Sequence, residues 1–478
     1  MKTKQMTPEK LCKIQLRREK EIKYWEKQKA RPKSNTYFWY LVLIIALIYA
    51  TDEIASQIGT LMKTEIANDL FASDSSVTIY NLMQIANVPF MVLSLLYRPL
   101  ADRWGRKTFL VINTFGMSFA LFTIFLSNNA LTYFFGFCMI QFFIPHDMHV
   151  VYIMESAPSK SRAITYSVIK FFANMAVMLI PILRRLLMQD ASEWRKVYMI
   201  PALVGIATSF IALIFARETD AFIDSRLRYL RLTDEERAKE EADKKAGNAQ
   251  GGLITALKFS MQHKQLRWIF ICFALAGIGV IGSLDYQTII SYGYAESVHG
   301  SYADEFLNLV SLNQVTSALI LFPFGSAIAQ VIMGFVSDLK GRKAAAITVA
   351  ANCLVCFIGF TLGAKMNLNP YVVGFLSGAF VGSYYSTNDV LIMMASESAP
   401  TNLRSSSLSA QTIIGIIGYA LAYIIYIPIT MIFGNASIGT VALCLLVPSF
   451  AATLIALVKN THDTRNVDMD TVTGCEWD

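Results

Sequence analysis

"RPLADRWGRK" at residues 98–107 and "GFVSDLKGRK" at residues 334–343 decide how this 478-residue chain is organised. Both carry Asp-x-x-Gly-Arg-Lys between long apolar runs, and the first puts five charged side chains into ten positions. Their aspartates, Asp102 and Asp338, stand 236 residues apart. A second pair follows in the same order. "HDMHVVYIMESAPSKSR" (146–162) lies over "NDVLIMMASESAPTNLR" (388–404), so that Glu155 and Glu397, like Asp147 and Asp389, are 242 residues apart. Two motifs in one order at nearly one offset mark a duplicated unit.

What is duplicated is hydrophobic. Apolar residues make up 54% of the chain and charged residues 16%. Runs near twenty apolar residues have the length of a bilayer-crossing helix. They fall at 37–61, 77–97, 108–127, 131–153, 164–187 and 196–216, then at 268–292, 315–336, 344–364, 370–394, 408–432 and 436–458. Lipid offers no partner to an exposed backbone group, so each run is expected as a helix. The expected fold is an all-α membrane protein, with twelve transmembrane helices in two pseudo-symmetric six-helix bundles. Its parts are a basic tail (1–36), a first bundle (37–216), a helical linker (217–265), a second bundle (266–458) and a C-terminal tail (459–478).

The net charge of +7 does not point to nucleic acid, because the first 36 residues alone hold twelve Lys/Arg against four Glu. Positive charge beside a first span keeps that end in the cytoplasm, and twelve spans then keep both ends there. Thr7-Pro8 reads as an N-cap and first helical residue, with Leu11, Ile14, Ile22 and Trp25 on one face. That suits a short helix lying on anionic lipid, or a solvated tail that only sets topology. In the linker, Thr233-Asp234-Glu235-Glu236 is a capping box, Gly247 a helix stop, and Gly251-Gly252 a flexible approach to span 7.

Enzyme chemistry finds no foothold: there is no P-loop, nucleophile elbow or His-Glu-x-x-His. Cys353 and Cys356 form a C-x-x-C inside span 9, where cysteine behaves as a small apolar residue. Neither a cofactor nor a metal is expected, and the chain is not read as an enzyme.

Ionisable groups inside spans are expensive and therefore informative. Asp52 and Glu53 follow an apolar run of only thirteen residues, 38–50, about 20 Å of helix and too short for about 30 Å of hydrocarbon. Span 1 must therefore carry them into the membrane or to a wet mouth. Span 4 holds His146, Asp147 and His149, and span 5 holds Lys170 and Asn174. Span 7 holds Asp285 and Gln287, span 10 holds Tyr384, Tyr385, Asn388 and Asp389, and span 11 begins with Gln411. Packing alone does not account for the set, which reads as a substrate and proton pathway. Asp147 lies eight residues before Glu155 and Lys170 eight after Arg162, so an ion pair at one depth is expected. Asp389 has Thr412 where that lysine would fall, which marks it as the titrating group.

With the repeat and both charged phrases, the chain resembles the major facilitator superfamily over essentially its whole length. The residues that carry the likeness are Asp102, Arg103, Gly105 and Arg106 after span 2, and Gly334, Asp338, Gly341 and Arg342 in the copy after span 8. Each Asp, in the short loop ahead of the next helix, can cap that helix's N-terminus. Three further phrases are similar to the sugar porters and related proton-coupled symporters. They are Glu155-x-x-Pro-x-x-x-Arg162 with its copy at Glu397 and Arg404, "RETDAFIDSRLRYL" (217–230), and "HDTRNVDMDTVTG" (462–474). The last departs from the branch pattern at Asp463 and Asn466, and Arg98 stands where the family usually has Gly. Span 5 lacks the Gly-rich motif of drug–proton antiporters.

The resemblance implies a secondary transporter working by alternating access, with spans 1, 4, 7 and 10 lining a central cavity. It implies that the charged motifs bridge neighbouring helices and latch the cytoplasmic face, and it maps a proton-coupling role to Asp52. Proton-coupled symport across the plasma membrane is expected, with a uniporter or exchanger as the alternative; from another class, a transport-dead sensor or scaffold. The expected partners are lipid, H+ and a small organic solute, with an organic anion or metabolite ahead of a sugar because no Trp lies deep in a span. A monomer is expected.

Overall fold

A computed structural model describes residues 8–31, 35–97, 104–143, 149, 152, 155–156, 162–233, 236, 253–299, 311–400 and 403–465. The described residues form helices and connecting turns. Span 1 is Asn35–Leu61, span 3 Arg106–Phe125 and span 6 Arg195–Phe215. Span 2 is split into Ser76–Ile85 and Val88–Tyr97, and span 5 into Arg162–Ala176 and Leu179–Leu187. Span 4 runs as Ala130–Phe143, with residues 149, 152, 155 and 156 also helical. In the second half span 7 is Lys264–Gly277 and Val280–His299, span 8 Thr316–Lys340 and span 9 Arg342–Lys365. Span 10 is Pro370–Ser398, span 11 Arg404–Phe433 and span 12 Ile438–Asn460.

Eight of these stretches are long and apolar enough to cross a membrane among the described residues. The other four, spans 2, 4, 5 and 10, fall short for visible reasons. Spans 2 and 5 are broken near Pro89 and Pro181, and span 4 is described as one piece of 14 residues. Span 10 is an unbroken 29 residues, but Ser, Tyr, Asn and Asp lower its hydropathy. The chain is therefore an all-α membrane protein of twelve spans in two six-helix halves.

Polarity is arranged for lipid. Leu131, Leu186, Phe335 and Ile432 are each more than 60% exposed, whereas Asn81, Asp285, Gln287 and Arg184 are fully buried. A soluble domain would do the reverse. Close packing between helices uses small residues, as expected where lipid and side chain are equally apolar. Gly374, Gly378 and Gly382 recur every four residues along span 10, and a Cβ on each would collide with span 8 backbone at Ala318, Phe322 or Ser326.

Two features differ from expectation. The N-terminal segment is a helix, Pro8–Lys29, whose Trp25 ring packs edge-on against Phe222, 5.6 Å away, instead of turning to lipid. Its partner is helix Asp220–Arg231, capped by Thr219, in what was read as linker. The Thr233 capping box does form: Thr233 N–H donates to Glu236 Oε2 at 2.8 Å and Glu236 N–H to Thr233 Oγ1 at 3.3 Å. Span 8 also runs on to Lys340, which places Asp338 in its last turn and not in a loop.

A candidate functional site on the seam between the halves

Span 1 breaks at Met62 (φ −126°, ψ 19°) and restarts as Lys63–Leu70. The break turns Lys63, Thr64 and Glu65 inward against span 7. Lys63 Nζ lies 2.5 Å from Asp285 Oδ1 with both side chains fully buried, and donates to the Leu284 carbonyl at 3.0 Å. Asp285 Oδ2 accepts from the Tyr426 hydroxyl at 2.7 Å and Asn81 Nδ2 at 3.2 Å. Beside this pair, Glu65 bonds Arg184, whose remaining N–H groups reach the Leu61 carbonyl at 3.1 Å and Thr316 Oγ1 at 2.8 Å. Gln287 closes the set: its amide donates to Glu65 Oε2 at 3.1 Å and accepts from Thr64 N–H at 2.9 Å. Two cations face two anions, so the buried seam is neutral. That is the condition under which charges tolerate a low-dielectric site.

The seam lies toward the end of the bundle opposite the termini. There a second contact joins the halves. Gly434 turns with φ +73° and presents Asn435 to the start of span 2. Asn435 N–H donates to the Asp74 carbonyl at 2.8 Å, its Oδ1 accepts from Val77 N–H at 3.2 Å, and its Nδ2 donates to Ser76 Oγ at 3.0 Å. Ser75 Oγ donates to the Met431 carbonyl at 3.2 Å.

Nearer the termini the interior is more open. Tyr385 sits mid-span yet keeps 43% of its surface accessible, with Glu53 of span 1 within electrostatic reach. Asp389, one turn further along the same face, is also exposed. Tyr384 is buried, and Asn388 Oδ1 and Gln411 Oε1 have no hydrogen-bond partner among the described residues. Gln411 Nε2 donates to the Leu391 carbonyl at 3.1 Å. Tyr419, Tyr423 and Tyr426 follow along span 11, their neighbouring rings 4.8 and 5.7 Å apart, with Tyr423 and Tyr426 buried. The accessible Tyr385 phenol and Asp389 carboxylate can hold a small polar solute by hydrogen bonds.

At the end that carries the termini, the two charged phrases build matching clamps. Arg106 Nε donates to Glu155 Oε1 at 3.2 Å, and Thr219 Oγ1 donates to Glu155 Oε2 at 2.6 Å. Arg342 Nε donates to Glu397 Oε1 at 3.1 Å, and Thr464 Oγ1 donates to Glu397 Oε2 at 2.5 Å. Gly105 and Gly341, with φ of +102° and +101°, begin spans 3 and 9. A carboxylate presses on each: Glu218 accepts Arg106 and Lys107 N–H at 3.0 and 3.1 Å, and Asp463 accepts Lys343 N–H at 3.1 Å. A Cβ on either glycine would collide with that carboxylate. Burial pushes the Glu218 carboxyl up from its ordinary value, against the pull of these donors.

These clamps correct one expectation. The motif's own aspartate was read as the helix N-cap, yet Asp338 is 82% exposed and reaches Arg342 at 3.3 Å. Asp463 takes the cap, because Asp338 belongs to the preceding helix and points into water. Gly334 has open space around it among the described residues, with no close packing there. Each clamp ties helices within its own half.

The pathway residues separate in the same way. Asp285 and Gln287 are fully buried and locked in the seam. Asp52 is buried, Asn174 half-buried, and His149 is buried with its ring 4.1 Å from Tyr49. Arg404 Nε donates to the Ser396 carbonyl at 3.0 Å. Asp102, Arg103, His146 and Asp147 lie outside the described residues, as do the side chains of Arg162 and Lys170. The Asp147–Lys170 pair therefore stays an expectation. Sequence reasoning missed Lys63, Glu65 and Arg184, although "MKTE" (62–65) and "LRRLL" (183–187) put charges at the edges of apolar runs.

A family model, the Major Facilitator Superfamily, matches residues 41–423. No curated protein matches the chain. Among solved structures it is similar to the nucleoside transporter NupG in a mutant form, at 12% identity and a TM-score of 0.60 over 87% of this chain and 99% of that one. It is similar to a D-xylose-proton symporter at 15% identity, TM-score 0.54, over 90% and 98%. The inward-open xylose transporter XylE from E. coli gives 15%, 0.53, 91% and 98%. At such identities the likeness is one of fold.

Proposed function

Because this chain belongs to the Major Facilitator Superfamily, and so to a class of membrane transporters of small molecules, we propose that it carries a small organic metabolite by proton-coupled symport. The mechanism is alternating access: the two halves rock about a central cavity that opens to one side at a time. One observation supports this above others: the seam is a neutral set of buried charges shared between halves, closed at one end while Tyr385 and Asp389 stay accessible toward the other. Such a set can come apart in the other state, provided water or solute then solvates its charges.

With both termini in the cytoplasm, as the basic first 36 residues favour, the accessible side that carries Tyr385 and Asp389 faces inward in this conformation. Glu53 and Asp389 are the groups proposed to take the proton, since each borders the accessible interior. Carboxylic acids stand ahead of neutral sugars as solute, because no Trp platform lies mid-span while Lys170 and His149 do.

Thermal-shift screening of purified protein against organic acids, sugars and nucleosides identifies the ligand, and proteoliposome uptake then tests coupling. Accumulation is expected only with an imposed proton gradient, and Asp389→Asn is expected to keep counterflow while losing accumulation. Uptake indifferent to the gradient would remove symport and leave uniport or exchange.

A further inference from the structure

The N-terminal helix has two faces, and the protein uses one of them. Glu21, Ile22, Trp25 and Gln28 are partly covered, on the side turned to helix Asp220–Arg231. Arg226 pairs with Glu21 and Arg231 with Glu26, both at 2.7 Å, and Lys29 pairs with Asp224. Arg17, Lys20, Lys23 and Lys27 lie on the other side, and all four are exposed. At about 100° per residue they fall within an arc of about 120°. Leu16 and Tyr24 share that arc, each 53% exposed. None of the four cations has an ion-pair partner among the described residues. The helix ends at Lys29 and span 1 begins at Asn35, so at most about 20 Å of chain separates the basic face from the bilayer.

We propose that this face binds the anionic phospholipid headgroups of the adjoining leaflet. Four cations on one arc match a negatively charged lipid surface, while Leu16 and the Tyr24 ring can enter the headgroup–acyl boundary, as on interfacial helices. The ion pairs with helix Asp220–Arg231 hold the face in place, which lowers the ordering cost of binding. The apolar stripe that suggested lipid contact, Ile22 and Trp25, is spent on the protein; the lipid is bound by the opposite side. Because Thr219 begins the partner helix and holds Glu155, bound lipid would also steady the clamp at spans 3 and 4.

The test uses the full chain, exchanged from mixed phosphatidylcholine and phosphatidylglycerol vesicles into detergent, with retained lipids counted by native mass spectrometry. Wild type should retain phosphatidylglycerol over phosphatidylcholine. The variant Arg17→Gln/Lys20→Gln/Lys23→Gln/Lys27→Gln should lose at least tenfold of that preference, since each basic residue near a charged surface contributes about fivefold. Raising salt on the wild-type protein is an independent arm, free of any folding defect, and should strip the same lipid. Equal phosphatidylglycerol retention in the variant, or retention indifferent to salt, overturns the proposal. So does binding of a short RNA duplex that the substitutions abolish while lipid retention stays unchanged.

Discussion

Lys63 and Asp285 occupy the seam as fully buried opposite charges, and that fixes how substitutions there must behave. Removing one partner strands the other in a dry site. Lys63→Met and Asp285→Asn are each expected to cost about 3–5 kcal/mol, whereas the double variant should recover most of it. Thermal unfolding in detergent reads this directly, and a double variant no better than the worse single would show that the pair is not what holds these residues. Glu218 makes a pH prediction. Its carboxyl is raised above the ordinary 4.5, chiefly by burial. A raised folded-state value means that its stabilising contribution is full below the unfolded pKa and is lost as pH rises through the folded one. Any stability advantage of wild type over Glu218→Gln, which is always neutral, should therefore shrink as pH rises from 4 to 8. A wild-type protein that gains on the variant as pH rises would contradict this. The sequence made Asp285 legible, because an acid in mid-span stands out. It hid Lys63 and Arg184, because charges at the edge of an apolar run look like the place where the run stops. Only the break at Met62 turns Lys63 inward.

Helices place these residues, and their packing is set by what they lack. Gly374, Gly378 and Gly382 let span 10 lie against the backbone of span 8, and so fix the face that carries Tyr385 and Asp389. Gly378→Leu should therefore cost more than about 3 kcal/mol or abolish folded protein. Gly334→Leu, with nothing near its Cβ, should change stability by less than about 0.5 kcal/mol. Size-exclusion profiles and melting curves of the two variants separate these outcomes, and equal losses would mean that crowding at span 10 is relieved elsewhere. The spans were legible because hydrocarbon thickness imposes a length on every one of them. The capping carboxylates were not. A local rule chose Asp338, four residues ahead of Arg342, while the cap comes from Asp463, 120 residues after Lys343. Only tertiary packing brings that loop back. The repeat nevertheless held a clue, since "RETD" at 217–220 and "HDTR" at 462–465 follow the last span of each half and meet the two glycines in the same way.

At the scale of the molecule the duplication was readable from two motifs, but which end is closed was not. Closure depends on pairs such as Lys63 with Asp285 and Asp74 with Asn435, residues hundreds of positions apart on different halves, and no local pattern announces them. The closed end can be locked chemically. A Cβ built on Gly434 lies 3.9 Å from the Cβ of Asp74, inside the range a disulfide requires. In a background free of native cysteines, Asp74→Cys with Gly434→Cys should therefore oxidise readily. The positive φ at 434 makes the bridge somewhat strained but leaves it formable. If transport requires this end to part, the oxidised protein should stop uptake in proteoliposomes and regain it on reduction. Ligand binding should survive oxidation, because Tyr385 and Asp389 stay accessible from the other end. Each single cysteine variant should transport with or without oxidant. Complete cross-linking, verified by thiol labelling, together with undiminished uptake would mean that the halves never separate here, and alternating access through this seam would have to be abandoned.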